Sequence, residues 1–230
     1  EAVVFSHDFS AHAYWYLSER GCPGGIVRRL SDKYTNVARE WDQDVFVQGT
    51  WNHSFNSMHR LKATMKYAHE YLRYRTKYPE NQNTARVDNH YYLNDAYAAA
   101  SYSFTLRSWL NVNVGYDARV SWLDADLKRF HTVRRLDQKA VAALQLNWKG
   151  ARLAASALYQ HYKDHTIYRA GAAEPLSKVT PSVTLGYFWR GLQARLWYKQ
   201  IFRAPTLNDL YYTQAGNRNL KPEFTRQWNL

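Results

Sequence analysis

Between residues 110 and 122 the chain alternates without a break. Leu110, Val112, Val114, Tyr116, Ala118, Val120 and Trp122 are apolar or aromatic, while Asn111, Asn113, Gly115, Asp117, Arg119 and Ser121 between them are polar, charged or small. Side chains of a strand point to opposite faces in turn, so a period of two sorts this segment into one apolar and one polar surface. The same sorting recurs. Val45, Val47, Gly49, Trp51 and Phe55 oppose Gln48, Thr50, Asn52 and Ser54, and Leu61, Ala63, Met65, Tyr67 and Tyr71 oppose Arg60, Lys62, Thr64, Lys66 and Glu70. Further apolar sets run from Ala96 through Phe104 to Leu106, from Ala142 to Trp148, from Leu153 to Tyr159, from Val183 to Trp189 and from Leu192 to Tyr198. With the aromatic stretch AHAYWYLS near the start and the run after Pro222, about ten strands are expected.

The connections alternate as well. Short turns at Asn56, Arg107, Lys149-Gly150 and Arg190-Gly191 are interleaved with long stretches at residues 20–42, 77–89, 124–136, 164–178 and 203–223. Short turns at one rim and long loops at the other are the habit of outer-membrane barrels. A soluble sandwich turns its apolar face inward and keeps its strands to about five or six residues. Here the strands are longer and the polar face is crowded with ionisable groups, as a water-filled lumen requires. The aromatic share of 16% beside a mean hydropathy of −0.63 fits strands with ringed girdles at both membrane interfaces. No apolar run approaches the roughly 20 residues of a membrane helix. The fold class expected is therefore all-β, a transmembrane antiparallel β-barrel, with residues 1–230 forming part of the barrel domain.

Charge and catalytic chemistry give negative expectations. The formal net charge is +12, but the cations are scattered, with no basic helix, so no nucleic-acid partner is expected. The single Cys22 cannot form a disulfide within the chain. His161 and His165 share a strand face but stand too far apart, at about 3.3 Å per residue, to hold one ion. His69-Glu70 lacks the second His of a metalloprotease helix. Asp8, Ser10 and His12 read as rim polarity rather than a triad. No metal, no cofactor and no catalytic residue is expected, and the chain is not expected to be an enzyme.

The C-terminal segment carries a longer signal. Ile201-Phe202-Arg203-Ala204-Pro205-Thr206-Leu207-Asn208-Asp209-Leu210-Tyr211-Tyr212, followed by Gly216-Asn217-Arg218-Asn219-Leu220-Lys221-Pro222-Glu223, resembles the FRAPTLNDLYY…GNPNLKPE signature of TonB-dependent outer-membrane receptors, with Arg218 where a turn residue such as Pro is common. Ser18-Glu19-Arg20-Gly21-Cys22-Pro23-Gly24 also resembles that family's ERGLPG loop, with Cys22 in place of Leu. The resemblance implies part of a 22-stranded barrel from which the plug domain is absent, the remaining strands lying elsewhere because open edges are not viable in lipid. It implies a location in the outer membrane of a Gram-negative bacterium, and TonB-energised uptake of a scarce nutrient. The two motifs look closest to the cobalamin and ferric-siderophore branches, with cobalamin slightly preferred. The implied partners are the lipid bilayer and lipopolysaccharide, the TonB complex acting through the plug, the small nutrient ligand and a surface lipoprotein. A passive porin and a soluble carbohydrate-binding β protein are the alternatives.

Rings and cations beside the long connections are the expected ligand contacts: Tyr34, Trp41, Tyr74, Tyr78, Tyr91, Tyr92, Arg134, Arg135, Tyr211 and Tyr212. Rings stack on a large polar ligand and guanidinium groups pair with its charges. Phe202, Arg203, Ala204, Pro205, Asn217, Leu220, Lys221, Pro222 and Glu223 are the family-motif positions.

Overall fold

The structure is a computed structural model, and it describes residues 1–22, 38–76, 87–127, 130–167, 171–212 and 216–230. Eleven strands follow one another: β1 (Ala2–Phe5), β2 (Phe9–Gly21), β3 (Arg39–Ser54), β4 (His59–Thr76), β5 (Val87–Arg107), β6 (Leu110–Ala125), β7 (Val133–Trp148), β8 (Ala151–Thr166), β9 (Leu176–Trp189), β10 (Leu192–Arg203) and β11 (Glu223–Asn229). They form one antiparallel sheet in sequence order, β1 at one edge and β11 at the other. One helical turn, α1 (Leu207–Tyr211), lies between the last two strands.

Consecutive antiparallel pairing puts the short turns at one end, and local chemistry shapes them. Lys149 and Gly150 have φ of 44° and 84°, and Arg190 and Gly191 have 44° and 86°. Positive φ at both central residues is the two-residue hairpin whose twist matches that of its strands. A Cβ on Gly150 would also stand 2.7 Å from the carbonyl oxygen of Phe188, so the neighbouring hairpin needs glycine there. At the β3–β4 turn, the Asn56 side chain accepts from the backbone N–H of Met58 and His59 (2.8 and 2.9 Å), the local hydrogen bonding that suits Asn to turns.

Burial is inverted relative to a soluble β protein. Among the described residues the buried hydrophobic cluster comprises Val133, Leu210 and Tyr211, whereas Val47, Met65, Val114, Tyr116, Leu185 and Leu196 stay exposed on the outer face. The opposite face carries the polar set. Thr50, Thr64, Ser101, Asp117 and Lys139 line one hollow of it, and there the Lys139 ammonium donates to Asp137 (2.8 Å). The expected sorting of the faces in β3 to β7 therefore holds.

The strands run further than the alternating pattern indicated, and there is one more of them. β1 is a four-residue edge strand that the sequence reading did not separate. β5 holds 21 residues, a length on the order of 70 Å at ~3.4 Å per residue, against an apolar band about 25 Å tall. Residues 39–42, 87–89, 124–125, 133–136, 164–166 and 176–178, expected in loops, are strand. Beyond the bilayer both faces meet water, so apolar alternation stops while pairing continues through polar partners. Arg20 bonds Glu40 across β2 and β3, Ser18 Oγ donates to Asp42 (2.9 Å), and Arg73 grips both carboxylate oxygens of Asp88 across β4 and β5 (2.7 and 2.8 Å).

Candidate functional site

The segment after β10 folds back against the polar face at the long-connection end. Thr206 starts α1 as its N-cap: its hydroxyl accepts from the Asp209 N–H (3.2 Å), and the Asp209 carboxylate accepts from the Thr206 N–H (2.9 Å). These reciprocal bonds satisfy two otherwise orphaned donors, and they hold the Asp209 carboxyl below its ordinary value. The far end of the turn is closed by the second half of the motif. Gly216 N–H donates to Tyr212 O (2.7 Å), and Asn217 N–H donates to Asp209 O (2.8 Å). A Cβ on Gly216 would lie 2.6 Å from the Tyr212 backbone, so glycine is the residue that permits this approach. Arg218, at the position where Pro is common, holds its guanidinium carbon 5.9 Å from the centre of the Tyr211 ring.

A buried polar knot fixes this segment to the wall. Arg135 on β7 donates to both oxygens of Asp164 on β8 (2.7 and 2.8 Å) and through Nη1 to the Pro205 carbonyl (2.7 Å). The Tyr211 hydroxyl donates to Asp164 Oδ2 (2.8 Å) and accepts from the Ala173 N–H (2.9 Å). Side chains of Arg135 and Asp164 are only 11% and 4% exposed, so the pair is desolvated and depends on this geometry. Burial, with the Asp164 carboxylate as acceptor, pushes the Tyr211 phenol up to about 12. The hydroxyl therefore stays protonated and able to donate.

In front of the knot lies a cavity of about 680 Å³, lined by Glu70, Leu72, Tyr91, Leu93, Arg119, Ser121, Leu123, Arg135, Asp137, Tyr162, residues 202–208 and Tyr212. The Phe202 and Tyr162 rings pack together at its wall, their centres 6.2 Å apart. Rings with cations and carboxylates at one wall can stack on a large polar molecule and pair with its charges.

The residues singled out from sequence separate into three groups. Tyr91, Arg135, Tyr212 and the motif residues Phe202, Arg203, Ala204 and Pro205 meet at the cavity. Tyr211 is buried and spends its hydroxyl on Asp164. Trp41, Tyr92 and Arg134 belong to the other face of their strands: the Arg73 guanidinium lies 5.3 Å from the Trp41 ring, Tyr92 packs on Tyr71 at 5.2 Å, and Arg134 is exposed. Tyr74 lies on the lumen face of β4, near its end. Tyr34 and Tyr78 lie outside the described residues. Of the other motif residues, Asn217 closes α1 and its side chain accepts from the Asn219 N–H (3.0 Å), Leu220 N–H donates to Asn217 O (3.2 Å), Lys221 and Pro222 lead into β11, and Glu223 opens that strand 3.7 Å from Arg203. Sequence reasoning missed Glu70, Leu93, Asp137 and Tyr162 as cavity residues. Their signal was strand parity: each occupies the face opposite to the apolar set.

Such a sheet, apolar on one face and polar on the other with the motif loop tucked against the polar face, is the wall of a β-barrel. The family described as TonB dependent receptor-like, beta-barrel matches residues 6–230, and the chain belongs to it. No curated protein sequence matches the chain. Among solved structures it is similar to BauA, the ferric preacinetobactin receptor from Acinetobacter baumannii, with a TM-score of 0.63 and 11% identity over 98% of this chain and 42% of that one. The chain thus spans less than half the length of that receptor.

Proposed function

We propose that this chain is wall and ligand-side rim of an outer-membrane receptor that takes up a scarce, bulky nutrient with energy delivered through the TonB complex. Membership of the receptor-barrel family over residues 6–230 carries the reading. The nutrient sits at the long-connection end, between the β4–β8 wall and the loop that contains α1. Tyr91, Tyr162, Phe202 and Tyr212 offer it ring faces, and Arg119 and Arg203 pair with its negative groups. Arg135, Asp164 and Tyr211 act one layer behind, holding the loop in place. The outer face meets phospholipid and, towards the long connections, lipopolysaccharide. The TonB complex is engaged through a plug held within the barrel.

A ferric siderophore is the favoured nutrient class, because the similar solved barrel is that of a ferric siderophore receptor. Cobalamin is the second reading, favoured by the ERGCPG and GNRNLKPE segments. Uptake of labelled ferric siderophores and of cyanocobalamin by cells carrying the intact receptor, with and without TonB, tests both. Saturable ferric-siderophore uptake that requires TonB is expected. Uptake of cyanocobalamin alone selects the second reading, and diffusive uptake independent of TonB replaces both with a passive porin. Within the site, Tyr212→Ala should weaken binding of the transported nutrient by about tenfold, the size of one stacked ring. Unchanged affinity would remove Tyr212 from the contact.

A further inference from the structure

We propose that the tips of the β5–β6, β7–β8 and β9–β10 hairpins form a continuous strip that binds the headgroups of anionic phospholipids. The first ground is repetition. Two of the three tips read aromatic, cation, glycine: Trp148-Lys149-Gly150 and Trp189-Arg190-Gly191. The third carries Arg107-Ser108-Trp109.

Geometry gives the repeat a purpose. In both two-residue turns the cationic residue itself takes positive φ, a conformation that costs a long side chain energy and that Asn, Asp or Gly would adopt more easily. The turn places each cation over the preceding indole: Lys149 Nζ lies 5.0 Å from the centre of Trp148, and the Arg190 guanidinium carbon 5.2 Å from that of Trp189. The rings remain open, 59% and 53% exposed, on the outer face of the sheet. A ring at the acyl boundary with a cation directly above it is complementary to a lipid phosphate over its chains.

The tips are joined to one another. Asn147 N–H donates to Trp109 O (2.8 Å), and Phe188 N–H donates to Gly150 O (3.0 Å). Hydrogen-bonded neighbours in a sheet stand about 4.8 Å apart, so the three tips form one ledge. Charge completes the case. The sequence contains no Asp or Glu at residues 96–116, 138–163 or 175–208, stretches that include the short-turn ends of all three hairpins, while Arg107, Lys149 and Arg190 stand at the tips themselves. Among the described residues no carboxylate pairs with Lys149 or Arg190, which leaves these cations for an anionic surface.

This inference goes beyond the uptake reading, and its test needs no nutrient. The intact receptor would be reconstituted in nanodiscs of phosphatidylethanolamine alone or of phosphatidylethanolamine with phosphatidylglycerol. Lipid co-purifying after detergent extraction would be counted by native mass spectrometry. Wild-type receptor should retain phosphatidylglycerol preferentially. Lys149→Gln/Arg190→Gln should lose that preference by about tenfold or more, since each surface cation attracts anionic lipid by several-fold. Lys163→Gln, the same change of charge near the long-connection rim, should not. Heat-modifiable mobility of each variant on gels confirms that the barrel is assembled. Equal retention of the two lipids by the wild type, or an undiminished preference in the assembled double variant, would overturn the proposal.

Discussion

At the short-turn end, Lys149-Gly150 and Arg190-Gly191 reverse the chain with two residues each, and every bond that defines the turn lies within a few positions in sequence. At the opposite end, residues 204–212 and 216–222 serve the same reversal with a capped helical turn, a glycine pressed against it and a salt bridge drawn from two other strands. Arg135 and Pro205, which meet there at 2.7 Å, are 70 positions apart. The first end is built by backbone conformation and the second by tertiary contact. A loop held from outside itself can wall a cavity around a bulky ligand, whereas a hairpin tip of two residues offers only its own side chains to a flat surface.

The largest expected effect lies in the knot. Arg135→Ala leaves the Asp164 carboxylate buried beside Tyr211, and loss of one partner from a buried pair costs about 3–5 kcal/mol. The intact receptor should show a lowered thermal midpoint together with proteolytic cleavage in residues 204–222; an unchanged cleavage pattern would mean that the loop is held by something else. Wall and lumen differ next. Val114→Arg places a charge on the outer face at a cost of about 2–4 kcal/mol near the bilayer centre, and should block assembly in a detergent-to-lipid folding assay. Asn113→Arg, one residue away and facing the lumen, should fold. Equal folding of the two would undo the assignment of faces.

Gly150→Val tests the local end. Strain at φ of 84° and the 2.7 Å approach of a Cβ to Phe188 O should together destabilise the hairpin by about 1–3 kcal/mol, read as faster unfolding in urea with nutrient affinity intact. The smallest effect is expected at Thr206→Ala, which removes one cap bond and about 1 kcal/mol. It should also change the acid response. The Asp209 carboxyl is held below its ordinary value in the folded chain, so its contribution is present above the unfolded value and is lost as pH falls through the folded one. The acid-side loss of loop protection should therefore shrink in Thr206→Ala, and identical acid profiles would show that Asp209 does not contribute.

The difference between the ends also explains what was legible in the sequence. The two glycine hairpins, the apolar face at Val112, Val114 and Tyr116, and the alternation of short with long connections follow from local rules, and they could be read directly. Strand ends at Arg39 and Val87 could not, because above the bilayer a strand is held by cross-strand pairs such as Arg73 with Asp88, and neither residue announces a strand alone. The site was half legible. Tyr91 and Tyr212 were visible as rings near loops, but Tyr211, adjacent and identical, is buried by Val133 and Ala173, partners nearly 80 and about 40 positions away. Trp41 and Tyr92 face the other way because parity, rather than nearness to a loop, decides which side a strand residue serves.

The assignment of the ligand site depends on which end of the barrel faces the nutrient. Single cysteines at Ala172 and Ser108, each in a Cys22→Ser background and each exposed, would be treated on intact cells with a membrane-impermeant maleimide. Labelling at Ala172, with Ser108 reacting only after the outer membrane is permeabilised, is the expected result. Labelling at Ser108 with Ala172 protected would invert the barrel and place the α1 loop, the Arg135–Asp164 knot and the cavity on the side the nutrient leaves.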